Sequence, residues 1–472
     1  MRTRIKVLSG AILLLATQIK LKAQEFRGIQ HSNYFGLGSA QNNPASIAGH
    51  MYKWDFILAG ASLNIDNDFV YWNKNNTRYK FNNDQLVYNP SLNSTYLNYD
   101  HSIQGPSFMY SFNNGAAAAI GLRQRNHISV HNVSRTISST LYSIKNNVDT
   151  TLNGTTETAG IHGNTYKEIY LTLAKQLKTT GALSQKIGIT PKLLIGSSQV
   201  QGDFSQIEYL YNRTSASYNY GIGSIHYSNN LDSATLNVRR DLLGSNGYGF
   251  GVDIGYQIIY NPNGASCGFK KALKTDVCSG PQYIYRLGVS LTDLGFIRYN
   301  NGQYAANMTY NNAESVDFVD MINGIENQQQ AYDSLNTITT LTSNTGKYAV
   351  SLPTRINLDF DYRVTQTLYI NTQGSASLSQ IFNQNGTSIP AQLTISPRFE
   401  KNLFGVYAPL SINQYGNFDP GVAFRAGPLI LGINDINSFF TKNQSNDIGA
   451  YIMFKSFFGC KKQNSKVKCP RV

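Results

Sequence analysis

The feature that most constrains this chain is an unbroken two-residue alternation over residues 248–260. Tyr248, Phe250, Val252, Ile254, Tyr256, Ile258 and Tyr260 are apolar or aromatic. Between them Gly249, Gly251, Asp253, Gly255 and Gln257 are small or polar. Strand side chains point alternately to opposite faces, so the stretch reads as a strand with one greasy and one wet face. Strands of soluble domains usually end after about five or six residues. This alternation runs about twice as far, the length a tilted strand needs to cross a bilayer. Tyrosines at both ends fit an aromatic girdle. The expectation is a transmembrane strand with lipid on the aromatic side and a barrel lumen on the glycine side.

The rest of the 472 residues agrees. No run approaches the roughly 18 consecutive apolar residues of a helical span. A mean hydropathy of −0.29, with 31 Tyr, 40 Gly and 14% charged residues, suits a barrel in which only alternate residues face lipid. Alternation and turn signals predict strands at roughly 52–66, 104–112, 116–126, 164–177, 186–198, 246–260, 282–294, 349–363, 366–378, 391–400, 402–412, 419–427, 428–434 and 446–458. The clearest hairpin turns at Asn113-Asn114-Gly115, where Asn-Gly supplies the positive φ of a tight turn. The connections alternate long and short along the chain, the asymmetry of an outer-membrane barrel, and this sorting puts both termini on the short-turn, periplasmic side. The fold class is therefore all-β: a transmembrane outer-membrane β-barrel of about 14 antiparallel strands. Within it, residues 1–23 read as a signal peptide, 24–50 as an N-terminal plug, 51–458 as the barrel and 459–472 as a basic periplasmic tail.

Several functional classes fall away. Residues 1–23 carry five basic residues and no acid, and so does the tail beyond Cys460, so removing both lowers the net charge from +13 to +3. A near-neutral barrel without a basic face or motif is no nucleic-acid binder. Arg2, Arg4 and Lys6 before the apolar run 7–16, with Leu21-Lys22-Ala23 as the cleavage site, form a secretory signal. Export favours disulfides, with Cys267 and Cys278 in one loop and Cys460 and Cys469 in the tail as candidates. Their spacings are wrong for a zinc site, and no metal or cofactor is expected. Neither GxSxG, HExxH nor a P-loop occurs, and the seven histidines fall mostly in predicted loops, so an enzyme is not expected. Residues 64–68 offer oxygens but lack the glycine and bidentate glutamate of a calcium loop.

Candidate site residues follow from strand phase. Arg123, Arg125, Glu168, Lys192, Asp253, Arg286, Arg355, Asp359, Asp361 and Arg425 all take the phase opposite the large apolar residues, which faces the lumen. An arginine facing lipid at mid-bilayer would cost about 2–4 kcal/mol, so this sorting is required of any such barrel. The charges either rigidify the lumen in pairs or line a substrate path. Asn43, Pro44 and Ala45 form a defined turn in the plug, since proline fixes its own φ and keeps its predecessor extended. Near-helical spacing of Val316, Val319, Ile322 and Ile325 predicts a short amphipathic helix within 313–335.

Some of these residues carry a resemblance. Ser32-Asn33-Tyr34 and Asn43-Pro44-Ala45-Ser46-Ile47-Ala48 resemble the opening of the DUF5723 family of Bacteroidetes outer-membrane proteins. Residues 290–295, 352–354 and 361–363 are similar to strand motifs of that family and the wider FadL-like barrels, and 424–429 resembles a penultimate hairpin of related barrels. The resemblance implies fourteen strands with an Asn-Pro-Ala hatch inside the N-terminal end. It implies partners of two kinds besides outer-membrane lipid. FadL-like barrels carry small hydrophobic ligands, whereas related barrels serve as accessories in type IX secretion, with a secretion-system or surface protein as partner. The charged lumen and polar loops depart from the fatty-acid transporter pattern.

Overall fold

A computed structural model describes residues 25–460 except 69, 74–85, 89–93, 147–150, 178–181, 213–214, 233–237, 263–282, 311–314, 317–328, 331, 334–335, 337–338, 379–390, 415, 441–443 and 446. The expected signal peptide, Cys267, Cys278, Cys469 and most of the expected 313–335 helix lie outside the described residues. Val316, from that expected helix, lies instead in a two-residue strand, Ser315–Val316.

Fourteen wall strands follow in order: β1 Tyr52–Asn67, β2 Ser94–Ser111, β3 Ala116–Ser134, β4 Leu152–Gln176, β5 Leu183–Asn212, β6 Gly247–Tyr260 and β7 Tyr285–Asn300. The second half is β8 Arg355–Arg363, β9 Leu368–Ser377, β10 Gln392–Glu400, the broken strands β11 (Phe404–Tyr407, Leu410–Asn413) and β12 (Phe418–Pro420, Val422–Ala426), β13 Leu429–Ile433 and β14 Asp447–Cys460. Each pairs antiparallel with its sequence neighbours. β1 also pairs with β14, from Tyr52 opposite Cys460 to Asp66 opposite Asp447, so the sheet closes. Closure leaves no edge, the condition for a sheet to stand in hydrocarbon.

The founding alternation is realised in β6. Tyr248, Phe250 and Ile254 are exposed on the outside, while Gly249, Asp253, Gly255 and Gln257 are buried inside. Ile120, Leu122, Leu171, Ile189, Leu358 and Phe424 continue this outward apolar belt on other strands. In a water-soluble protein such a surface would aggregate; here it is the face that lipid covers. No described helix is long and apolar enough to cross a membrane.

The strands extend further than alternation indicated. β2 begins at Ser94, β4 at Leu152, and β5 runs on to Asn212, where Ser215–Tyr227 turns back to pair with its upper half. Lipid no longer requires apolar side chains outside the belt, so backbone pairing continues while the pattern that revealed it fades. Between β3 and β4 lies a helix, α1 Arg135–Asn146, in a stretch read as loop. Residues 349–363 are also two pieces, because Leu352-Pro353-Thr354 separates Lys347–Ser351 from β8. Both pair with β7, one with its upper half and one with its lower. The histidines are mainly on strands rather than loops: His101 on β2, His127 and His131 on β3, His162 on β4, and His226 on the extension.

Candidate functional site

The barrel encloses its own N-terminal segment. Phe26, Ile29, Phe35, Leu37, Ile47 and Ala48 are buried against wall residues such as Met109, Tyr170, Tyr407, Tyr451 and Met453. Two 3₁₀ turns shape it, Gly36–Gln41 and Pro44–Ile47. Asn43 caps the second: its Oδ1 accepts from Ala45 N at 3.0 Å, and Pro44 supplies a preset φ in the first turn. Asn43 Nδ2 meanwhile donates to Tyr256 O at 3.2 Å and Val289 O at 3.4 Å, on two wall strands. Gly188 and Gly255 make the seat, since a Cβ on the first would overlap the Pro44 backbone and on the second the Asn43 side chain.

Polar contacts hold the segment on all sides. Arg27 pairs with Asp419 at 3.0 Å, and Tyr451 donates to Arg27 O. Asn33 donates to Glu400 at 2.8 Å and accepts from Tyr283 at 3.0 Å. Asp55 of β1 accepts from Leu37 N at 3.0 Å and faces Lys455 of β14 at 2.5 Å, bracing the closing seam from inside. Burial pushes the His31 imidazole down, so it is neutral near pH 7; its Nε2 lies 2.6 Å from Gln373 and its Nδ1 3.8 Å from Asp359.

The charges assigned from strand phase form two buried networks and one separate contact. In the first, Arg123 meets Glu168 at 2.9 Å, Arg125 meets Glu168 at 3.2 Å and Asp293 at 2.8 Å, and Lys192 bridges Asp253 at 2.8 Å and Asp293 at 2.7 Å. Arg355 lies 3.6 Å from Asp293. Glu25 reaches in from the N-terminal segment, 3.6 Å from Arg123 and 3.5 Å from Arg125. Burial would raise its carboxyl, but the two guanidiniums prevail and hold it at about 2. Arg123, Arg125, Lys192 and Arg355 thus balance Glu25, Glu168, Asp253 and Asp293. Burying charge is tolerable only where it is paired in this way.

The second network centres on Asp361. Arg398 grips it through both carboxylate oxygens at 2.7 Å, and Arg286 joins at 2.9 Å while donating to His31 O at 2.8 Å. Arg425 stands apart. It donates to Asn402 O at 2.9 Å and stacks 4.4 Å from the Tyr34 ring.

Phase reasoning missed Asp293, Arg398, Glu400, Asp55 and Lys455. Asp293 sits at a bulge between Leu291 and Leu294, with φ of 59°. The extra residue turns both Thr292 and Asp293 inward, where strict alternation would send Asp293 into lipid. An aspartate at a lipid phase was the readable signal. On the side of the charges away from the N-terminal segment, Tyr166, Leu194, Ile297, Tyr299, Val350 and Leu352 form a second apolar cluster inside the barrel.

A closed antiparallel sheet with an outward apolar belt and an inward charged lining belongs to the class of outer-membrane-type β-barrels. The family model DUF5723, a family of unknown function, matches residues 44–434, and the chain belongs to that family. No curated protein matches. Among solved structures the barrel is similar to the Ralstonia pickettii toluene transporter TbuX, at 9% identity and TM-score 0.42, over 89% of this chain and 94% of that one. A Pseudomonas aeruginosa FadL homologue matches at 8% identity and TM-score 0.39, over 89% and 93%. The translocator domain of autotransporter NalP from Neisseria meningitidis matches at 6% and 0.29, over 85% and 88%.

Proposed function

We propose that this chain is an outer-membrane channel for small apolar molecules, gated by residues 25–50, with both termini in the periplasm. The observation that carries the reading is the enclosed N-terminal segment. It fills one end of the lumen through apolar packing and through side-chain hydrogen bonds and ion pairs that water can replace, such as Arg27 with Asp419 and Asn33 with Glu400, and it contributes no strand to the wall. A segment so held can leave without dismantling the wall. The inner apolar cluster around Tyr166, Leu194 and Ile297 gives the interior an apolar character on the far side of the charges that suits an apolar solute. The balanced network around Asp293 favours a second reading, a barrel sealed by its own ion pairs that serves as a non-transporting accessory or scaffold for a secretion-system or surface protein.

Deleting residues 25–50 and measuring solute entry into liposomes separates the two. A gated channel becomes leaky to small solutes and admits apolar ones faster. If the flux of every solute stays at the wild-type level, the barrel is a scaffold.

A further inference from the structure

We propose that β3, β4 and β5 hold a divalent transition-metal site made by His131, His162 and Asp203, towards the ends of these strands that lie away from the 113–115 turn. Each offers one ligand atom, and these atoms lie within 4.8 Å of one another. His162 Nε2 is 2.8 Å from Asp203 Oδ1, and the two imidazole rings meet edge to face with centroids 4.7 Å apart. The register creates the cluster. His131 lies opposite Gly160, Gly160 lies opposite Asp203, and His162 lies one alternation further along β4, opposite Gln201. Gly160 has a specific part: a Cβ there would overlap the His131 ring, so its absence lets that ring lie across the rung. Gln201 Nε2 donates to Asp203 Oδ2 at 2.9 Å, which fixes the carboxylate and leaves Oδ1 turned to the histidines. Metal-binding carboxylates are commonly oriented by such an outer partner.

Two imidazoles and one carboxylate suit zinc, copper(II) or nickel; calcium and magnesium want an all-oxygen set. Three protein ligands leave an open position. The Asp203 side chain is 38% exposed whereas that of His162 is 4% exposed, so the open side faces water. Gln124 and its cross-strand partner Lys167 stand where the exposed apolar run of Ile120, Leu122, Ile169 and Leu171 ends, with only scattered outward apolar residues such as Ile161 beyond, and His131 is seven residues past Gln124, about 20 Å along the strand. The cluster therefore lies outside the hydrocarbon. Sequence spacing gave no hint of it, because the ligands come from three strands and meet only through register.

The test uses the full mature barrel in detergent, with zinc ions as calorimetric probe and copper(II) as spectroscopic probe. Wild type is expected to bind one zinc per chain at this site, with copper(II) showing coupling to two imidazole nitrogens. His131→Gln and His162→Gln each remove one nitrogen from the spectrum. Asp203→Asn, which keeps side-chain shape, and Gly160→Val, which keeps all three ligand residues but pushes the His131 ring aside, each weaken zinc binding by about tenfold or more. Folding of each variant is checked by the gel mobility of unboiled barrel. Zinc binding of unchanged affinity in a folded His131→Gln, His162→Gln double variant overturns the proposal, as does a wild type that binds no zinc. In either case His162 and Asp203 are simply a hydrogen-bonded pair.

Discussion

Asp293 ties together three buried cations from a position that regular alternation would send into lipid. The bulge that turns it inward brings it to Arg125, Lys192 and Arg355 at once. Asp293→Ala leaves those three cations buried around a missing anion. Removing one partner of a buried pair costs about 3–5 kcal/mol, and the loss is read as a lower temperature for losing folded gel mobility in detergent. Asp361→Ala is expected to do the same to Arg398 and Arg286 by the same measurement. Glu25 yields a pH dependence. Its carboxyl sits at about 2, below the ordinary value of 4.5. A depressed carboxylate adds stability that is complete above its unfolded value and is lost as pH falls through the folded one. The grip of Glu25 on Arg123 and Arg125 therefore holds above about pH 4.5 and fades towards pH 2. Pepsin should cut the N-terminal segment increasingly over that window. In Glu25→Gln the dependence on this group disappears, and the segment is looser at neutral pH.

Strands, turns and the enclosed segment respond differently to substitution. Ile254→Arg places a charge on the lipid face midway along β6 and should cost about 2–4 kcal/mol, measured by equilibrium unfolding from liposomes. Gly188→Val acts on the other face. It fills the seat of Pro44 and Ala45, so the barrel should still assemble while the segment is displaced and liposomes become leakier. Most of the wall was legible in the sequence, because inside the belt lipid enforces a period of two and hairpins such as 113–115 carry their own turn signal. All fourteen wall strands were found from those signals. The upper reaches of β4 and β5 were not, since water on the outside imposes no pattern there. Helix α1 was hidden because its Thr, Ile, Ser and Tyr residues are weak helix formers. The position of Asn43 against β6 and β7 and the pairing of Arg398 with Asp361 were equally hidden, because contacts across a cylinder join residues hundreds of positions apart or on separate strands.

At the scale of the molecule, the wall is a closed ring of paired strands, and residues 26–48 pack inside it. The ring has one further consequence. Its first strand is partnered by its last, so a product ending between β13 and Asp447 would leave β1 and β13 with two rows of bare amides and carbonyls, and an earlier stop would bare β1 and whichever strand came last. Oil offers such groups nothing to bind. Half-made copies are thereby denied a stable berth in the bilayer, and the chain carries its own proofreading at its far end.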